Sequence, residues 1–210
     1  MLNTRPARRA AGAALIIAAS LISAFASRGL HGPIVENAPA YRQKGVPGAR
    51  IAIVEYSDFQ CPACRVATEP LKRILELYGN DVVFTFKHFP LQGIHPWAKP
   101  AAIAAECAGR QGRFWPYHDK LYEKQEHWAH TESPESELQG YAAALGLDLD
   151  LFKKCLADPE ISALIDEDVK QGNLRWVGST PTFFINEKRF AGAKQLSTRG
   201  MNWIDRQLKN

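Results

Sequence analysis

The sequence predicts an α/β fold that carries an all-helical insertion. Three patterns support it. A β-branched run at residues 50–56 leads into helical spacing from Cys61 and then into a second alternating strand. A long stretch with helical spacing only comes next, and a hairpin pattern with an amphipathic helix closes the chain.

The first element is a leader. Arg5, Arg8 and Arg9 precede an apolar, small-residue run at 10–26, and Ala24-Phe25-Ala26 matches the small-x-small pattern of a signal-peptidase site. Residues 1–26 therefore read as a signal peptide, or as a retained membrane anchor, since the run just reaches a spanning length. Either reading sends the domain outward. Residues 27–48, rich in Gly, Pro and Ala with a turn at Gly45-Val46-Pro47-Gly48, read as a flexible linker, with no core before Ala49. The domain is expected over 49–208.

Within it, residues 50–56 form a buried-strand pattern interrupted by one charge, Glu55. Residues 61–78 have helical spacing, with Pro70 inside, where it should bend the helix. Residues 81–89 alternate as a second strand, so a parallel, right-handed crossover is expected. Helices follow at 97–110, 114–125, 134–145, 149–157 and 160–174, separated by Gly and Pro signals; they form the insertion at about 97–175. Residues 182–186 and 188–191 read as a hairpin and 196–208 as a closing helix. This order, βαβ then helices then ββα, is that of a thioredoxin fold with a helical subdomain spliced into its middle.

Composition narrows the function. The chain of 210 residues, 46% hydrophobic, suffices for one domain with a real core. Its net charge is +4, and the leader's arginines account for most of it. The near-neutral remainder argues against nucleic-acid binding. Four cysteines, if exported, would meet an oxidising compartment.

Cys61-Pro62-Ala63-Cys64 follows a strand and opens a helix. The first sulfur then sits where unpaired amides and the helix dipole favour an anion, and Pro62 suits the first turn. Cys61 is assigned as the attacking sulfur and Cys64, one turn further in, as the resolving one. Haem attachment would need a histidine at position 65, which is Arg65. A zinc ribbon would need a second close pair, which Cys107 and Cys155 do not make, and no metal site is expected at His127 and His130 either.

Other residues fit thiol chemistry. Thr180-Pro181 precedes a strand, where a cis proline could fold the backbone against the sulfurs and Thr180 could pair with an extended substrate peptide; an ordinary trans proline is the alternative. Glu55 and Lys87 are read as a buried pair beneath the cysteines that buffers the Cys64 proton, unless both point to solvent. Cys107 and Cys155 read as a structural disulfide within the insertion, or as two buried thiols. The aromatic face of Phe114, Trp115, Tyr117, Leu121 and Tyr122 reads as core.

These residues resemble the DsbA-like branch of the thioredoxin superfamily over nearly all of 49–208. The resemblance rests on Glu55 ahead of Phe59-Gln60-Cys61-Pro62-Ala63-Cys64, on Lys87-His88-Phe89-Pro90-Leu91, on Gln111-Gly112-Arg113-Phe114-Trp115 with Tyr117-His118, and on Ser179-Thr180-Pro181-Thr182-Phe183-Phe184. It implies a periplasmic or cell-surface thiol-disulfide oxidoreductase acting on protein or peptide thiols, with Cys61 as nucleophile, Cys64 as resolving thiol, a cis Pro181 and no bound cofactor. It also implies a quinone-linked membrane reoxidant of the DsbB or vitamin K epoxide reductase kind. Ala63 departs from the histidine of the best-known oxidases, so the dipeptide Pro62-Ala63 leaves oxidising strength open.

The expected function is to introduce disulfides into folding proteins. A disulfide isomerase or reductase is one alternative, but residues 27–48 are too short for the dimerisation domain of DsbC-like isomerases, and a monomer is expected. A non-catalytic thioredoxin-fold binding module is the other.

Overall fold

The chain joins its sheet earlier than the sequence suggests. The computed structural model describes residues 38–209, so the expected leader and the first part of the expected linker lie outside the described residues. A 3-10 turn (Ala40–Arg42) leads into β1 (Gln43–Gly45), which pairs antiparallel with residues 83–85. The linker reading of 27–48 is corrected for this stretch. Arg42 is fully buried and ion-paired to Glu106 and Asp168. Gly45 is a close-approach residue: at φ +90°, a Cβ there would lie 2.1 Å from the Val82 carbonyl oxygen.

The expected strand–helix–strand unit follows as β2 (Ile51–Ser57), α1 (Pro62–Tyr78) and β3 (Val82–His88). β2 and β3 are parallel and buried throughout, which explains their near-continuous apolar runs. α1 continues through Pro70 and ends by Gly79. Its inner face, Cys64, Ala67, Leu71 and Ile74, recurs at helical spacing and packs into the main core.

The insertion comprises α2 (Ala98–Arg110), α3 (Phe114–Glu123), α4 (Gln125–Trp128), α5 (Glu135–Ala144), α6 (Leu149–Leu156) and α7 (Pro159–Leu174). Asp148 and Asp158 cap α6 and α7 through the amides of Asp150, Leu151 and Glu160. The single helix expected over 114–125 breaks at Lys124, and Gln125 beyond the break is buried. Cys107 on α2 is disulfide-bonded to Cys155 on α6.

The chain then returns to the sheet as β4 (Thr182–Ile185), antiparallel to β2, and β5 (Lys188–Ala191). Asn186 and Glu187, both at positive φ, make the tight hairpin turn. The strand order is β1-β3-β2-β4-β5. The closing helix starts earlier than expected, as α8 (Gly192–Gln195), and passes through a π-helical stretch (Leu196–Gly200) into α9 (Met201–Lys209). A Cβ on Gly200 would come within 3.2 Å of Ile185, so this helix lies tight on the sheet.

Candidate functional site

The cysteine pair sits where β2 gives way to α1. Cys61 is the N-cap residue, with extended backbone angles, and Pro62 is the first helical residue. Both thiols are reduced and buried, Cys61 8% exposed and Cys64 0%, while Pro62 and Ala63 between them face solvent. The Cys61 pKa falls from its ordinary value near 9 to about 5. The largest cause is a hydrogen bond from Cys64, which outweighs burial; Thr180 and the amides of Cys64 and Ala63 lower it further. Cys64 moves the other way, well above 9, through burial and through that same hydrogen bond. The arrangement holds a stable thiolate next to a thiol that keeps its proton.

Across the active-site loop lies the cis Thr180-Pro181 peptide bond, with the Thr180 carbonyl oxygen 3.6 Å from Cys61 Sγ. The loop itself is fastened from several elements. Gln125 of α4 donates to the carbonyls of Phe59 at 2.7 Å and Cys61 at 3.0 Å. Gln60 donates to the Ala129 carbonyl and accepts from the Trp97 amide. Asp58 accepts from the amides of Gln60 and Leu91 and is bonded to the His95 ring, while its own amide points to Cys64 Sγ at 3.5 Å. These supports were not visible in the sequence. Gln125 carries no motif, and Asp58 reads as an ordinary turn residue.

Glu55 lies behind Cys64, where its charge helps to raise that thiol. It is buried, and burial raises its pKa to about 7, opposed by a hydrogen bond from the Ser57 hydroxyl at 2.8 Å. Ser57 Oγ lies 2.9 Å from the Tyr122 hydroxyl of α3. Glu55 and Tyr122 line a surface groove of about 890 Å³ that also includes Lys44, Phe84 and Trp115.

The expected Glu55–Lys87 pair is corrected. Glu55 stands beside Phe86 in the parallel register and Tyr56 beside Lys87, so the two side chains leave opposite faces of the sheet. Lys87 instead donates to Gln171 at 2.6 Å and pairs with Asp168 at 3.2 Å. Burial lowers its pKa, against the pull of Asp168. Asp168 also pairs with Arg42, whose other partner, Glu106, is 2.8 Å from the His88 ring and accepts from Tyr41 at 2.7 Å. This buried network ties the first turn, β3, α2 and α7 together. Cys107 and Cys155 belong to the insertion, at the far end of α2 from Trp97 and the active-site loop.

Comparisons with known proteins agree with this geometry. The thioredoxin family model matches residues 38–205. Among solved structures, alpha-DsbA1 of Wolbachia pipientis superposes with a TM-score of 0.71 at 24% identity, covering 83% of this chain and 94% of that one. DsbA2 of Pseudomonas aeruginosa gives 0.65 at 28% identity, covering 80% and 97%. A Na(+)/H(+) antiporter NhaA 1 of Salinispora arenicola is 41% identical over 150 residues, 71% of this chain. The match spans only 22% of that relative's length, so its name describes a protein mostly outside the shared segment. Among the described residues no helix is long and apolar enough to cross a membrane. The chain belongs to the thioredoxin family, and its fold is similar to that of the DsbA proteins.

Proposed function

We propose that this chain works outside the cytoplasm as an oxidase that introduces disulfides into folding proteins, with Cys61 as the exchanging sulfur. The observation that carries this reading is the opposed acidity of Cys61 and Cys64. Every tenfold gain in Cys61 acidity favours the reduced protein by about 1.4 kcal/mol, or about 30 mV toward a stronger oxidant.

A substrate thiolate attacks Cys61 Sγ of the Cys61–Cys64 disulfide. The S–S electron pair leaves on Cys64, which takes a proton. A second substrate thiolate then attacks the substrate sulfur of the mixed disulfide and releases Cys61 as a thiolate, the better leaving group for its low pKa. The buried Thr180 backbone beside Cys61 suits pairing with an extended peptide, and the exposed Pro62 and Ala63 border the approach. The pair is then reoxidised by a quinone-linked membrane protein, as the family resemblance implies. Glu55 exchanges the Cys64 proton, and Cys107–Cys155 stabilises the insertion. The leader pattern of residues 1–26 supports export, and the chain acts as a monomer.

The test is the reduction potential of the Cys61–Cys64 couple in glutathione buffers. An oxidase requires a potential above about −200 mV; a value near the −270 mV typical of thioredoxin would overturn the oxidising direction.

A further inference from the structure

Thiol exchange requires the resolving thiol to gain and lose a proton, yet Cys64 is 0% exposed and cannot exchange it with water directly. We propose that the Ser57 hydroxyl is the relay between the Cys64 thiol and the Glu55 carboxyl, that the Tyr122 phenol orients it, and that the groove on which Glu55 and Tyr122 open is the proton's exit. The proposal rests on the thiol-exchange reading and extends it to a residue with no redox chemistry of its own.

Four observations converge on Ser57. Its Oγ is 2.8 Å from Glu55 Oε1 and 2.9 Å from the Tyr122 hydroxyl, so one hydroxyl touches both groups. It is 1% exposed, so these contacts are not shared with bulk water. A hydrogen bond from Ser57 acts on Cys64 and works against the burial that raises this thiol. Finally, Glu55 and Tyr122 both line the groove between α1 and α3, whereas Cys64 does not.

The roles of the three partners differ. Tyr122 is buried and its pKa is raised well above 10, so it keeps its proton, and with Ser57 donating to Glu55 it donates to Ser57 Oγ. That leaves the serine proton for Glu55 or for Cys64. Glu55, titrating at about 7, is suited to both directions at neutral pH. When the Cys61–Cys64 bond is broken by a substrate thiolate, the Cys64 thiolate takes the Ser57 proton as Ser57 Oγ takes one from the Glu55 carboxylic acid. When the pair closes again, the Cys64 proton passes to Ser57 and the serine proton to the Glu55 carboxylate. Cys64 then attacks Cys61 Sγ of the mixed disulfide and the other thiol leaves with the bonding pair. Water in the groove restores the protonation of Glu55. Tyr122 is a positioning residue, since it acts only through Ser57.

The experiment follows closure of the mixed disulfide between Cys61 and glutathione, in which Cys64 must lose its proton, by stopped-flow tryptophan fluorescence at neutral pH. Ser57→Ala is expected to slow closure about 100-fold, Ser57→Thr to recover most of the rate, and Tyr122→Phe to slow it by a smaller factor. The rate at which iodoacetamide alkylates Cys61 should stay native in all three. Closure at the native rate in Ser57→Ala overturns the relay, as does a Ser57→Thr protein no faster than Ser57→Ala. If Ser57→Ala does not fold, native closure in Tyr122→Phe overturns it instead. A native Cys61 that alkylates like an ordinary exposed thiol would contradict the oxidase reading, while the closure rates would still decide the relay.

Discussion

The hydrogen bond between Cys64 and Cys61 drives the two thiols apart: it is the largest cause of the low pKa of Cys61, about 5, and adds to the burial that raises Cys64. Replacing Cys64 with Ala removes it. Cys61 is then expected to titrate clearly above 5, which ultraviolet thiolate absorbance followed against pH will measure. An unchanged titration would assign the effect to the helix terminus alone.

The same shift predicts how stability depends on pH. The folded pKa of Cys61 lies below its unfolded value, so its stabilising contribution is complete above about 9 and is lost as the pH falls through about 5. The oxidised protein has no such titration. The melting temperature of the reduced form relative to the oxidised form should therefore rise between about 5 and 9. A difference that stays flat across this window would contradict the low thiol pKa.

Glu55 has the opposite sign. Its folded pKa, about 7, lies above the unfolded value of 4.5, so its contribution is present in acid and lost as the pH rises through 7. Glu55→Gln should accordingly raise stability above neutral pH by about 3 kcal/mol and leave it nearly unchanged in acid. Urea unfolding at the two pH values will check this.

Arg42 is expected to matter more than a residue near the start of a domain usually does. Its removal leaves the buried Glu106 and Asp168 without their shared cation. Arg42→Met should cost about 3–5 kcal/mol in urea unfolding. Faster amide exchange in β1 than in β5 should accompany the loss.

Trp176 occupies a left-handed position, φ +57°, just past the end of α7 and is 84% exposed. Its amide bonds the Asn173 carbonyl and that of Val177 bonds Gly172, the helix-ending pattern in which glycine is usual. Trp176→Gly should stabilise the protein by about 0.5–1 kcal/mol, since relief of the backbone strain exceeds the extra entropy of the unfolded chain. Thermal unfolding will show the sign.

The layered order of the fold was legible because its elements differ in period: two buried runs around a helical stretch, then helices, then a hairpin. The placement of Cys61 and Cys64 was legible because it is local, at a helix start. What escaped depends on register and distant contact. Glu55 stands out in the sequence as a charge in a buried run, but a one-residue offset in the β2–β3 pairing puts Lys87 on the other face. β1 escaped because three residues that pair through their backbone leave little side-chain pattern. Ser57 looked like the polar end of a strand and Tyr122 like core; only the approach of α3 to β2 makes them neighbours.

Gln125 brings out one more consequence of the inserted helices. Its amide holds the backbone on both sides of Gln60, so the stretch bearing Cys61 is pinned by a segment that a minimal thioredoxin fold would lack. Trimming the protein back to its sheet and flanking helices would remove the brace along with the ornament. The reactive sulfur owes its position as much to the inserted module as to the helix it starts.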